Sequence, residues 1–287
     1  METKKQSRTW YHTRTRIEKW LVYLLIVLIV VVCLIPFYTM LVNATRSGAQ
    51  IVSGFSMVPS SHFFENFDSL LVYVDVWRGL LNSAFIAVSA TILTAYFSTL
   101  TAFGFQFYEF KGKTILFTFM ILMMMVPQQL GLIGFYQLCL QFKMIDSYYP
   151  LIIPMIANTF GVFFIRQYMA GSVHPALVEA ARIDGAGEFS IFHRLIIPLA
   201  APATATMAIM AFIVTWNNYI APRVLITSLE KRTLPVMVGA LKGSIVAQSN
   251  FGATYAAVAI SVVPIMIVFI FASRYIINGI ASGSVKG

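Results

Sequence analysis

Apolar residues fall along this chain in six long blocks, and charged residues gather in the intervals between them. The blocks run about Trp20 to Val42, Gly79 to Tyr108, Ile115 to Leu138, Pro150 to Met169, Pro198 to Trp216 and Ala253 to Ile277. Apolar runs of about 20 residues are the length a helix needs to cross a hydrocarbon layer. The pattern therefore predicts an all-α, polytopic membrane protein with six transmembrane helices. Its parts are an N-terminal segment (1–19), a six-span domain (20–277) and a C-terminal tail (278–287). Ahead of the first block a partly disordered start and a short interfacial helix near Trp10–Trp20 are expected. Two intervals, Asn43 to Arg78 and Asn217 to Phe251, read as long loops.

One interval departs from the rest. Residues 172–198 are polar and charged yet keep a helical period. Pro175 suits the first turn of a helix, where its missing N–H costs nothing. Leu177, Ala180, Ala181 and Asp184 fall three to four apart, on one face. Gly185 can take a positive φ and end the helix. A second short helix is expected from about Glu188, with Phe189, Phe192 and Ile196 on one face. Pro198 then opens the next apolar block. The result is a helix-turn-helix projecting from the membrane, with Ala180 and Ala181 small enough to let another surface come close.

Composition sharpens this. Residues are 59% hydrophobic and 11% charged, against about 25% charged in a soluble domain. The net charge of +9 acts here mainly through orientation. Lysine and arginine number 13 on the side of the termini and of the 172–198 interval, and 7 on the other. By the positive-inside rule both termini and that interval are cytoplasmic. No basic stripe with interleaved aromatics is present, so nucleic-acid binding is not indicated. Cys33 and Cys139 offer neither a disulfide framework nor metal spacing. The first block is too long for a cleavable signal core.

Candidate transport residues lie at polar points within or beside the blocks. Pro127 breaks the third block, and Gln128 and Gln129 beside it would be costly facing lipid. Asn158 sits at similar depth in the fourth. These three either line a translocation path or bond between helices. Asn82 at the start of the second block, and Trp216 and Asn217 at the end of the fifth, suit a sugar chemically, because rings stack on pyranose faces and amides bind hydroxyls. Aromatics also sit at membrane interfaces for solvation alone. Enzymatic readings fail. Gly112-Lys113-Thr114 looks like the end of a phosphate-binding loop, but Phe107 stands where that motif needs glycine. The four histidines form no metal pair and no triad.

Glu179, Ala180, Ala181, Asp184, Gly185, Ala186, Phe192, Pro198 and Pro202 resemble, at their spacings, the EAA loop of ABC importer permeases. The similarity covers nine positions in 24 residues. The tail, with Gly283, Val285, Lys286 and Gly287, is similar to the C-terminus of the carbohydrate (maltose-type) subfamily. The resemblance implies a type I ABC importer permease fold in the bacterial cytoplasmic (inner) membrane. It further implies that 172–198 is a coupling loop docking on a cytoplasmic ATPase, and that the tail contacts the ATPase pair as an extended peptide. The implied partners are a second permease, two copies of the ATPase and an extracytoplasmic solute-binding protein. That protein would be met near Lys242, Gln248 and Asn250. The implied cargo is a carbohydrate, in particular an oligosaccharide. No cofactor is expected in this chain; ATP and Mg would belong to the ATPase. The alternative, an ion-coupled secondary transporter, wants intramembrane carboxylates or inverted repeats of broken helices. No Asp or Glu lies within the six blocks.

Overall fold

The computed structural model of the chain describes the backbone of residues 2–242 and 250–284, and the side chains of 18–127, 129–241 and 250–271. The described residues are helical throughout, joined by turns. Among the described residues, five helices are long and apolar enough to cross a membrane, or six when a bent pair counts as one span. The chain divides into two compact units, Met1–Val72 with Ser244–Ala259, and Tyr73–Gly243 with Ile260–Gly287.

In the first unit, α1 (Glu2–Ala44) is one unbroken helix. The expected irregular start is instead helical, because nothing between Glu2 and Pro36 is glycine or proline. From Trp20 to Val32 its large side chains are all exposed, as befits a helix whose solvent is lipid. The loop after it contains α2 (Gly48–Val52) and α3 (Phe63–Tyr73). Arg46, nearly buried, gives its guanidinium to Asn43 Oδ1 and to the carbonyls of Gly54 and Gln50. Asn66 on α3 donates to the carbonyls of Ala44 and Arg46, both at 2.9 Å. This long loop is thus held by two polar side chains that satisfy its backbone.

The second unit is built on α4 (Val76–Phe107), which packs against α8 (Thr159–Ser172) and α11 (Ile197–Trp216). The packed face of α4 is small: Ala87, Ala90, Thr94, Ser98, Thr99 and Ala102 are buried. Small residues let helices approach where lipid offers no hydrophobic drive. A Cβ on Gly161 of α8 would meet Ser98 Oγ at 2.6 Å, so only glycine fits there. Thr99 and Thr204 share a 2.9 Å hydroxyl bond across the α4–α11 seam.

Two blocks are interrupted. The third divides into α5 (Lys113–Met124) and α6 (Leu132–Gln141), bent by 89° around Pro127 and a 3₁₀ turn at Gln128–Gly131. The fourth, expected to be continuous, is α7 (Tyr149–Ile152), a 3₁₀ stretch Ile153–Ala157 containing Pro154, and then α8. Pro154 has no N–H to continue an α-ladder, and Asn158 restarts it by accepting the Gly161 N–H at 2.7 Å. The second long loop holds α12 (Ile220–Leu225) and α13 (Leu234–Lys242). The last helix, α14 (Phe251–Ser284), carries the backbone of the tail as helix to Ser284, where an extended peptide was expected.

Candidate functional site

The projecting interval folds as an elbow. In α9 (Pro175–Ile183) proline occupies the first position, and His174 Nδ1 accepts the Ala176 N–H at 3.2 Å. The helix stops in a Schellman turn. Gly185 has φ +78°, its N–H bonds to Arg182 O at 3.1 Å, and the Ala186 N–H bonds to Ala181 O at 2.9 Å. Asp184 contributes its backbone N–H, bonded to Ala180 O at 2.9 Å. An L side chain at position 185 would be strained.

The elbow's second arm is not a separate helix. α10 (Glu188–Ile191) runs through a π-helical turn, Phe192–Ile196, directly into α11. Pro198 therefore lies in the first turn of a continuing helix rather than opening one. The wide turn shifts the hydrogen-bond register just before a residue with no N–H to give.

The face predicted for α9 divides. Glu179, Ala180, Asp184 and Leu177 face outward, while Ala181 and Ala186 are half-buried against the core. Val178 is buried. Phe189, expected on one face with Phe192 and Ile196, is 75% exposed, whereas those two are buried. The π turn, which starts at Phe192, rotates Phe189 away from Ile196. Ile183 is 86% exposed. The elbow thus holds two large apolar side chains, flanked by Glu179 and Asp184, away from its own core.

Under the elbow lies an aromatic floor. Phe192 sits edge-on to Tyr96 at 5.6 Å between centroids and tilted to Phe103 at 5.8 Å. Tyr96 Oη is 3.3 Å from His193 Nε2. Above it three residues close a latch that the sequence reading did not single out. Arg182 of α9 bonds Glu188 through Nε at 2.8 Å and Nη2 at 3.3 Å. Tyr108, just past α4, donates its hydroxyl to Glu188 Oε2, and its ring lies 5.0 Å under the Arg182 guanidinium. The hydrogen-bonded carboxylate raises the Arg182 pKa, and burial, followed by that carboxylate, raises that of Tyr108. An Arg and a Glu six residues apart on either side of a glycine turn were the available signal. Tyr108 carried none, being 80 residues away. A groove of about 490 Å³ opens beside the latch, lined by Leu100, Phe103, Phe110, Phe189 and Phe192.

At the other end of α4 the loops are clasped. Asn82 donates to Glu230 O at 2.8 Å and Arg232 O at 2.9 Å. Ser83 Oγ accepts the Leu234 N–H at 2.9 Å. Asp146, at φ +59°, accepts the N–H groups of Thr227 and Ser228 through Oδ1, and Ser228 Oγ and Lys231 Nζ through Oδ2. These bonds, those from Ser228 first, hold its carboxyl well below the usual range.

The proposed transport residues are dispersed. Gln129 is exposed beside the bend, and the Gln128 side chain lies outside the described residues. Asn158 caps α8 and Asn82 belongs to the clasp. Trp216 is buried, with Nε1 bonded to Ser261 O at 3.0 Å, and Asn217 donates back to Ile213 O at 2.9 Å. Asn250 Oδ1 caps the start of α14 through the Ala253 N–H. The Lys242 side chain, Gln248, Val285, Lys286 and Gly287 lie outside the described residues, and Gly283 is described by its backbone alone. Arg166, inside the fourth span, stacks over Phe117 at 4.2 Å. Within the candidate spans of the described residues, acids occur only at the ends, as Glu18 and Glu188. No group of metal-ligating residues occurs among the described residues.

Residues 96–282 match the family of binding-protein-dependent transport system inner membrane components. The chain is 30% identical to the arabinooligosaccharides transport system permease protein AraQ of Bacillus subtilis (strain 168), over 88% of this chain and 91% of that protein. It is 28% identical to the lactose transport system permease protein LacG of Rhizobium radiobacter, over 95% and 98%. It is 27% identical to the sn-glycerol-3-phosphate transport system permease protein UgpE of Escherichia coli, over 89% and 93%. Its fold is similar to a chain in the crystal structure of a bacterial ABC transporter involved in the import of the acidic polysaccharide alginate. That likeness has a TM-score of 0.77 at 22% identity, covering 91% of this chain and 97% of the other.

Proposed function

The chain belongs to the family of binding-protein-dependent transport system inner membrane components, and from that premise we propose that it is one permease half of an ATP-driven importer of oligosaccharides. It is a multi-pass membrane permease without an ATPase site of its own. The observation that carries the reading is the elbow. A helix capped at both ends presents Leu177, Glu179, Ala180 and Ile183 outward, while Val178, Ala181 and Ala186 are seated in the core. A rigid base with an exposed, partly apolar tip fits a protein partner, and a separate ATPase pair holding ATP and Mg is that partner. Glu179, Ala180 and Asp184 make the contact, Ala181, Gly185 and Ala186 shape it, and Phe192 and Pro198 anchor it.

The lysine and arginine bias puts the elbow and both termini in the cytoplasm. The tail, through Gly283, Val285, Lys286 and Gly287, contacts the ATPase pair. On the opposite side the region of Lys242, Gln248 and Asn250 meets the solute-binding protein. Gln128, Gln129 and Asn158, at two breaks in the spans, line the path together with a second permease chain. Asn82 acts on the sugar indirectly, by fixing an outer loop, and Trp216 and Asn217 do so by holding the outer end of α11 in place. The oligosaccharide class rests on the names of the arabinooligosaccharide and lactose relatives.

The test is reconstitution with the second permease, the ATPase and the binding protein in liposomes, followed by uptake of labelled arabinotriose and lactose. ATP-dependent uptake that ignores protonophores supports the reading. Uptake that persists without the ATPase and collapses with a protonophore overturns it.

A further inference from the structure

The elbow is joined by the chain to two helices, α8 before it and α11 after it. The latch adds a third. Tyr108 is the first residue beyond α4, and its hydroxyl meets Glu188 Oε2 while its ring underlies the Arg182 guanidinium. Glu188 therefore receives donors from both sides, Arg182 from the elbow's first arm and Tyr108 from α4. The aromatic floor backs this up, since Phe192 of the second arm is buried against Tyr96 and Phe103 of α4. A side chain clamped by a forked ion pair above and packed rings below has little freedom to slide.

α4 is 32 residues long, so as an α-helix it spans about 48 Å. Unlike α11 it contains no proline, and unlike the fourth block it has no break. At its other end Asn82 and Ser83 hold the carbonyls of Glu230 and Arg232 and the N–H of Leu234. The same loop is bonded to Asp146. An unbroken rod is thus fastened to the elbow at one end and to the far loops at the other.

We infer that Arg182, Glu188 and Tyr108 are positioning residues that lock the elbow to α4, so that a displacement of the elbow is delivered along α4 to the loop at Thr227–Leu234. The latch stays closed through the cycle and acts as a strut. This rests on the reading that the elbow is where the ATPase acts. It goes beyond that reading by naming the helix that carries the motion and the side chains that attach it.

The test is a charge swap in the full transporter, in a Cys33→Ser background with a spin label on Leu229→Cys, which is exposed in the far loop. Arg182→Glu and Glu188→Arg are made singly and together, with Tyr108→Phe alongside. Three quantities are read: co-purification of the ATPase, ATP hydrolysed per sugar imported, and the ATP-dependent change in the spin-label spectrum. Each single swap is expected to retain the ATPase, to lower sugar imported per ATP by about fivefold or more, the lower end of ordinary allosteric coupling, and to abolish the Leu229 response. The double swap restores both in large part, and Tyr108→Phe shifts them in the same direction by less. The inference is overturned if the singles transport with normal stoichiometry, or if the double swap fails to rescue. It is also overturned if the singles simply lose the ATPase, because the three residues would then shape the docking surface. Failure of the parent reading looks different: the unmodified chain itself would not co-purify with the ATPase.

Discussion

The two ends of α4 solve one problem in opposite ways. At the elbow, a side-chain ion pair, Arg182 with Glu188, sits over packed rings and is reached by Tyr108. At the clasp, Asn82 and Asp146 gather backbone groups of a loop that has little regular structure of its own. The elbow's helices satisfy their own backbone, so its side chains are free to fix how the helices sit. The clasp's polar side chains are consumed in satisfying the loop. The consequence is visible at the surface: the elbow can hold Ile183 and Phe189 outward on a rigid base, whereas the clasp turns its polar groups inward.

That contrast can be broken most severely at the floor. Phe192→Ala removes a fully buried ring and is expected to cost about 3–5 kcal/mol, read as a lowered Tm with loss of ATPase co-purification. The clasp would keep its exchange protection, because the two ends share no side chain. If instead the loop at Thr227–Leu234 loosened equally, the ends would be a single cooperative unit. Gly185→Asp comes next. A non-glycine residue at φ +78° costs about 1–2 kcal/mol, and the expected result is weakened ATPase binding with normal membrane insertion.

Asn82→Ala tests the other end. Two hydrogen bonds to backbone carbonyls are lost, about 1–2 kcal/mol together, and amide exchange should accelerate at Thr227–Leu234 while ATPase binding is unchanged. The smallest effect is one of pH. The Asp146 carboxyl is depressed in the folded chain, so between its folded and unfolded values the unfolded chain binds more protons. Its contribution is complete above the ordinary carboxylate value of about 4 and is lost as pH falls toward the folded one. Thr227 and Ser228 should therefore lose exchange protection on acidification, after allowance for intrinsic rates, and Asp146→Asn should show the same loss at neutral pH. Arg182 and Glu188 offer a contrast, since swapping them acts at any pH where both are charged.

The sequence was informative where one residue type has one physical use. Pro175 and Gly185 mark the two ends of α9 because no other residues suit those positions so well, and the structure has both as expected. Pro127 marked the bend in the third span for the same reason. Pro154 went unread, although it too lies in a 3₁₀ interruption of its span. The elbow's second arm was drawn as a separate helix because Pro198 looked like a beginning. Periodicity alone cannot report a π turn, which adds a residue to one turn and moves Phe189 off the face it shares with Ile196 on an ideal wheel. Asn158 stood out for its depth in the fourth span, and Asn82 and Trp216 as an amide and a ring suited to a sugar. Periodicity gave no means of telling that each has a bond waiting within the chain.

The sequence by itself determined that the chain is helical and membrane-spanning, where most of the spans lie, and that one polar helix-turn-helix interrupts them. Those properties depend on apolar length, on proline and glycine, and on charge, all of which act over a few neighbouring residues. Only the tertiary structure decided that Tyr108, Arg182 and Glu188 meet, that Asp146 and Asn82 grip one loop, and that Ala181 turns inward while Ala180 turns out. Those are contacts between residues as many as 150 positions apart. Their partners are chosen by the packing of α4 against α8 and α11, which no local pattern encodes.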